Sequence, residues 1–340
     1  MPNPVKSLLL VAAATALTVA ALDVLIGRAV PLPHAEYETV EALADYAAGD
    51  PDVLVLGSSH ARSLMRLGDW YANQAPPLHL ATMPIEGGKL YAYDWLLEHR
   101  LRPLIDARGE DGRPLRGRLR ELVLVTNYWD ACGAGKEYPN LPARAWALSD
   151  YLADFAQHGA TAYNTNYIDQ RWNELTAGSS LIRDRGAWRI VRTLRERVRP
   201  RSAEDIARTD AEHLARWVAM IEENDLAGPT CDSHTQVAAL DRILAFARER
   251  GLRTTIVLWA SIPRAQTAST IAVADRYRDL VLARAGDADV IDLRPARVLS
   301  DDDYRADLDH LHPSGHEKLR QWFLAGPFAD LATRGAGARP

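Results

Sequence analysis

Short, unbroken apolar runs recur along the chain, separated by stretches in which apolar residues return every three or four positions. Val53-Leu54-Val55-Leu56 and Leu122-Val123-Leu124-Val125 contain no polar interruption, the pattern of strands buried on both faces. Leu78 to Thr82, Arg253 to Trp259 and Asp289 to Leu293 complete five predicted strands. The intervening spacing predicts helices over Glu36 to Ala48, Lys89 to Arg102, His234 to Arg250, Thr270 to Ala285 and Pro313 to Leu324, the last opened by a proline in its first turn. Leu64, Leu67 and Trp70 predict one more short helix after the first strand. Strands alternating with helices in this way predict an α/β domain, a parallel sheet sandwiched between two helical layers.

Two stretches break the alternation. From about 141 to 227 the strand signal is lost, and helices are predicted over Ala143 to Phe155, Trp188 to Val198 and Ala203 to Glu223, a helical insertion in a domain of residues 31–330 with a flexible tail at 331–340. Its middle carries eight arginines between Arg183 and Arg201. They read as a solvated helix face, with contact to lipid headgroups or an anionic glycan as the alternative. At the N-terminus, Ser7 to Gly27 is apolar or small except for Asp23, and ~20 such residues span a bilayer as a helix. The expectation is an uncleaved transmembrane anchor within residues 1–30. Cleavage of a signal peptide near Ala20 or Ala21 is the alternative, and would leave a secreted soluble protein. Lys6 before the span and acidic Glu36, Glu38 and Glu41 after it place the N-terminus in the cytoplasm and the bulk of the chain outside, periplasmic or extracellular. An oxidising compartment permits a disulfide between Cys132 and Cys231.

Composition changes this picture little. Of 340 residues, 47% are hydrophobic and 25% charged, ordinary for a globular chain, and the net charge of -5 gives no electrostatic reason to expect nucleic acid.

The chemistry concentrates at two places. Gly57-Ser58-Ser59-His60 follows the first strand, where a serine is held at the sheet edge and a glycine permits a tight turn. Asp309-His310-Leu311-His312-Pro313-Ser314-Gly315-His316 lies just before the last helix. A serine, an imidazole and a carboxylate form the set that acyl transfer through serine needs: Ser59 as nucleophile, His312 as general base, Asp309 to orient it. His310, His312 and His316 with Asp309 also invite a zinc reading, which leaves the Ser59 turn unexplained. The sequence gives no warrant for a metal or an organic cofactor.

In these residues the chain resembles the SGNH/GDSL hydrolases. Gly57-Ser58-Ser59 is similar to the nucleophile block, in the Gly-Ser-Ser-His form of membrane-anchored members that act on cell-surface polymers, with Ser58 in place of the usual aspartate. Gly87-Gly88 resembles the glycine block, Asn127 the asparagine block, and Asp309-x-x-His312 the last. The resemblance covers about Asp52 to Asn127 and His234 to Leu324. It implies a flavodoxin-like sandwich, and an oxyanion hole built from the Ser59 amide, the Gly88 amide and the Asn127 side chain. Asn127 as a loop-capping residue is the alternative. His60 and Arg62 beside the turn read as structural residues with substrate contact as the alternative, and Trp129 after Asn127 is a further candidate substrate contact. The expected function is extracytoplasmic O-acyl transfer or ester hydrolysis on an envelope or exported polysaccharide. An acylated polysaccharide or other acyl donor and a membrane-bound O-acyltransferase are the expected partners. The rival is a non-catalytic scaffold that binds glycan or such a membrane partner.

Overall fold

β1 (Val53–Ser58) lies second in a five-stranded parallel sheet with β2 (Leu80–Ile85), β3 (Glu121–Thr126), β4 (Arg253–Leu258) and β5 (Asp289–Asp292), in the order β2-β1-β3-β4-β5. This computed structural model describes residues 34–131, 146–160, 234–305 and 310–331, apart from 75, 76, 86, 113 and 116, together with 14, 15, 17, 18, 21, 167, 168, 202, 204, 208, 209, 211–216 and 219. The chain divides into two units, one of Met1–Tyr37 with Pro142–Ile206 and one of Glu38–Leu141 with Ala207–Pro340. The sheet belongs to the second.

The apolar strands are buried on both faces because alternate residues point to opposite sides. Val53 and Val55 join Val123, Val125 and Val257 in one cluster, covered by Leu64, Leu67 and Tyr71 and by Phe323 of the last helix. Leu54, Leu56, Leu122 and Leu124 fill the opposite face and are equally inaccessible. Two helices, α2 (Met65–Ala72) and α7 (Pro313–Ala325), pack together beside the first cluster, after α1 (His34–Ala48) has led the chain into β1. On the other side α3 (Leu90–Leu96) packs on α5 (His234–Glu249), and these touch β1 and β4 respectively. The helix α6 (Ala268–Ala285) packs against β5. The architecture is therefore α/β with a parallel sheet between helices, as the alternation predicts.

Three local expectations shift. β2 runs from Leu80 to Ile85 rather than Leu78 to Thr82, because register with β1 pairs Val53 with Leu80 and Ser58 with Ile85. As an edge strand it accommodates Pro84, which has no N–H to donate. The helix predicted over Lys89 to Arg102 begins at Leu90 and passes through a π turn, Leu97–Leu101, into a final turn, Arg102–Ile105. Pro103 lies in that final turn, and the wider π turn relieves its clash with the carbonyl four residues back. After Ser59 the chain first makes a 3₁₀ turn (Ser59–Leu64), and Tyr71 rather than Trp70 is buried beneath α2.

In the other unit, α4 (Leu148–His158) occupies part of the predicted Ala143 to Phe155 helix, and Tyr151 stacks on Tyr167 with ring centroids 5.0 Å apart. Residues 211–216, in the unit of the sheet, are helical, within the predicted Ala203 to Glu223. The Trp188 to Val198 helix, the arginines from 183 to 201, Cys132, Cys231 and most of the Ser7 to Gly27 stretch lie outside the described residues. Among the described residues no helix is long and apolar enough to cross a membrane.

Candidate active site

Ser59 begins where β1 ends, and close packing fixes that edge. A Cβ on Gly57 would stand 2.6 Å from the Val125 carbonyl oxygen, so β1 and β3 approach this closely only with glycine there. Gly57 is thus required by a close approach within the sheet rather than by a turn, since its backbone is ordinary strand. Ser59 is nearly buried, 6% exposed, and its Oγ lies 2.7 Å from the Nε2 of His310. The imidazole brought to the serine is therefore that of His310, where the sequence reading placed His312.

The reason lies in how the chain returns to the sheet. Arg305 N–H donates to the His310 carbonyl at 2.7 Å, and Tyr304 bridges Leu311 in antiparallel fashion, so Tyr304–Arg305 and His310–Leu311 are joined in a narrow neck. Tyr304 OH donates to the Ala260 carbonyl beyond β4, and the neck is anchored there. The backbone turns at His312, whose N–H donates to the Asp303 carbonyl and whose carbonyl accepts from His316 N–H as α7 begins. His312 caps a helix and is exposed. Gly315 permits this start, because a Cβ there would stand 2.6 Å from the Asp303 carbonyl oxygen. Asp309 and its neighbour Asp307 lie outside the described residues.

His60 is buried between two rings, stacked on Trp259 at 4.8 Å and facing His310 at 5.9 Å between centroids. Its Nδ1 lies 2.8 Å from Ser58 Oγ and 3.3 Å from Asn127 Nδ2. Asn127 Oδ1 accepts from Trp129 N–H at 2.8 Å, which fixes the amide so that its Nδ2 faces His60. His60 Nδ1 must then be the bare nitrogen, with its proton on Nε2. His60 thus braces the floor of the site, the structural role weighed from sequence against substrate contact. Asn127 caps the Tyr128–Asp130 turn while keeping a second Nδ2 hydrogen with no recorded acceptor among the described residues. It remains suited to an oxyanion. Trp129 is half-buried against Tyr128.

Gly88 does not offer the expected donor. Its N–H donates to the Ile85 carbonyl at 2.9 Å, in a turn that Gly87 enters at φ 59°. Gly88 is needed for space instead: a Cβ would meet the Ile85 side chain at 2.7 Å and the Tyr93 ring at 2.9 Å.

Beneath Asn127 lies a buried polar network. Asp130 accepts from the Asn127 N–H at 3.0 Å and from Thr126 Oγ1 at 2.6 Å, and Thr126 Oγ1 also meets Tyr277 OH at 2.5 Å. Burial pushes the Asp130 carboxyl up to about 6, against the opposing pull of those two donors. Burial, then the nearby Asp130 charge, pushes the Tyr93 and Tyr277 hydroxyls well above their usual range.

Ser59, His60 and His310 line a small cleft together with Arg62, Trp259, Arg305 and His316. His316 is held down to about 4, first by burial and then by the nearby charges of Arg66, Arg305 and His310. It is neutral at pH 7.

The strand order reverses between β1 and β3, and the crevice outside such a switch point is where open α/β sheets bind ligands. Ser59 follows β1 and Asn127 follows β3, so both stand at that crevice. His310, weighed from sequence only as a zinc ligand, had a readable signal for the base: the Asp-x-x-His spacing occurs twice, as Asp307 to His310 and as Asp309 to His312. His316 too was weighed only as a zinc ligand, and Trp259 and Arg305 had no signal beyond their residue type. Comparison of the sequence with family models and with curated proteins finds no match to either.

Proposed function

We propose that the protein transfers acyl groups through Ser59, as an O-acyltransferase or esterase with an SGNH-like site. The observation that carries this reading is the 2.7 Å contact between Ser59 Oγ and His310 Nε2 at the carboxyl edge of a parallel sheet. The order β2-β1-β3-β4-β5, that of flavodoxin-like sheets, supports the same reading.

Ser59 Oγ attacks the acyl carbonyl while His310 Nε2 takes its proton, and the tetrahedral intermediate collapses as that proton passes to the departing alkoxide. Acyl-Ser59 remains. A sugar hydroxyl or water then attacks the acyl carbon with His310 again taking the proton, and Ser59 regains it as the new ester or acid leaves. For Nε2 to act as base the His310 proton must sit on Nδ1, where a carboxylate holds the ring. The spacing that pairs Asp309 with His312 pairs Asp307 with His310, so Asp307 takes over the orienting role in this proposal. The Ser59 amide and Asn127 Nδ2 are the proposed oxyanion donors, each contributing about 3 kcal/mol when well aimed. The apolar Ser7 to Gly27 stretch supports an anchored, extracytoplasmic enzyme that works on an envelope polysaccharide beside a membrane-bound acyltransferase.

The test is mass spectrometry of the full-length protein after p-nitrophenyl acetate and, separately, a serine-directed fluorophosphonate. An adduct on Ser59, absent from Ser59→Ala, is expected. A folded protein that takes no adduct from either reagent is instead a scaffold that binds glycan or a membrane partner.

A further inference from the structure

Among the described residues, two guanidinium groups stand around His316 at the cleft that holds Ser59. Arg305 stands at its mouth, exposed, with Nε donating to the Leu311 carbonyl at 3.0 Å. Arg66, from the first turn of α2, reaches the start of α7 and donates through Nη1 to the Pro313 carbonyl at 3.3 Å. Neither guanidinium has an ion-pair partner among the described residues. Glu317, the described carboxylate that feels Arg66, is already held by Arg320, whose Nε donates to Oε2 at 2.8 Å and whose Nη2 is closer still to Oε1. His316 lines the cleft with Arg305, its Nδ1 buried and unpartnered among the described residues. Both guanidinium charges act on this ring strongly enough to oppose its protonation. Two arginines spend one donor each on a backbone carbonyl, and Arg carries five, so both keep donors for an incoming group.

We propose that Arg305, Arg66 and His316 form an oxyanion subsite beside Ser59, which receives a carboxylate or phosphate carried by the glycan substrate. The inference rests on the reading of Ser59 as nucleophile only in calling the ligand a substrate. The anion is held bidentately by Arg305 with Arg66 adding long-range attraction, while neutral His316 donates a single hydrogen bond. A glycan bearing uronates or phosphodiesters is thereby drawn to the cleft and held in register with the acyl-serine, and a neutral glycan is not.

The experiment uses full-length Ser59→Ala, which binds without turnover, and titration calorimetry with three oligomers of equal length: oligogalacturonate, oligo(glycerol phosphate) and a neutral oligogalactoside. At least one anionic oligomer is expected to bind tenfold or more tightly than the neutral one, and to weaken as salt is raised. The better of the two identifies the source of the anion. Adding Arg305→Gln should weaken that binding about tenfold, and Arg66→Gln about threefold, with most affinity restored in Arg305→Lys. Equal affinity for neutral and anionic oligomers, no detectable binding of either anion at millimolar concentration, or binding indifferent to Arg305→Gln overturns the subsite. Fluorophosphonate labelling of the wild type separates the two proposals. A labelled Ser59 without anion preference removes only the subsite, whereas anion binding without label removes only the acyl transfer.

Discussion

The edge of β1 and the neck of Tyr304–Arg305 with His310–Leu311 supply the two members of one close pair, Ser59 and His310, yet they are built by opposite means. Ser59 is placed by what precedes it in the chain: a continuous buried strand and a glycine that lets β3 come close. His310 is placed by bonds on either side of the neck and to the segment beyond β4. These include Arg305 N–H to its carbonyl, Tyr304 against Leu311, and Tyr304 OH on Ala260. In the proposed acyl transfer the nucleophile on a strand end inherits the rigidity of the sheet, whereas the base beside the neck is as well placed as its closures are intact.

The largest effect expected from this contrast separates the two neighbouring histidines. His310→Ala should slow acylation of Ser59 by p-nitrophenyl acetate by about 10³-fold or more, as loss of a general base does, with Ser59→Ala losing it altogether. His312→Ala, at an exposed helix cap, should stay within about threefold. The reverse ranking in a stopped-flow burst would return the base to His312 and undo the assignment of the loop.

Next in size is the pH dependence of the two sides. The folded Asp130 carboxyl titrates near 6 against an ordinary value near 4, so between these the folded state keeps a proton that the unfolded chain has lost. Its contribution to stability therefore falls as pH rises from about 4 to 6, by up to about 3 kcal/mol for a shift of this size. Asp130→Asn keeps an acceptor for Thr126 and Asn127 and should abolish that fall in urea titrations across the range. His316 acts in the opposite sense: held near 4, it stays neutral while the unfolded chain takes up a proton below about 6.5, so stability falls as pH drops through that window. His316→Gln should remove that second slope, and urea titrations unaltered by either substitution would show that these groups are not held as described.

The smallest effect, about 1–3 kcal/mol of overpacking, compares the two close-approach glycines. Gly57→Ala forces β1 from β3 and should lower the urea midpoint with activity reduced only through unfolding. Gly315→Ala disturbs the Asp303 carbonyl that holds His312 N–H, and should reduce acylation more than it reduces stability. Equal stability and activity losses in both variants would erase the distinction between strand end and loop.

β1 and β3 were legible because a strand buried on both faces has to be apolar throughout. The runs at Val53, Glu121, Arg253 and Asp289 appear within a residue or so of their predicted bounds, the last as an edge strand. Leu90, Tyr93, Leu97 and Leu101 all reach the core, even though a π turn interrupts their helix. β2 was displaced because its pairing with β1 sets its ends, and Pro84 falls within the paired stretch. Ser59 and Asn127 were legible as strand-end residues, but the engagement of the Gly88 N–H by Ile85 was not, since it depends on the local turn.

What the sequence determined alone is the alternation of buried strands and amphipathic helices, and with it the edge at which Ser59 emerges, because hydrophobic periodicity is a local consequence of what each face touches. Which of two histidines two residues apart meets Ser59 was decided only in three dimensions. An Asp-x-x-His spacing fits both, and the choice falls to the neck of the loop and the helix cap, contacts between residues whose partners no local pattern names.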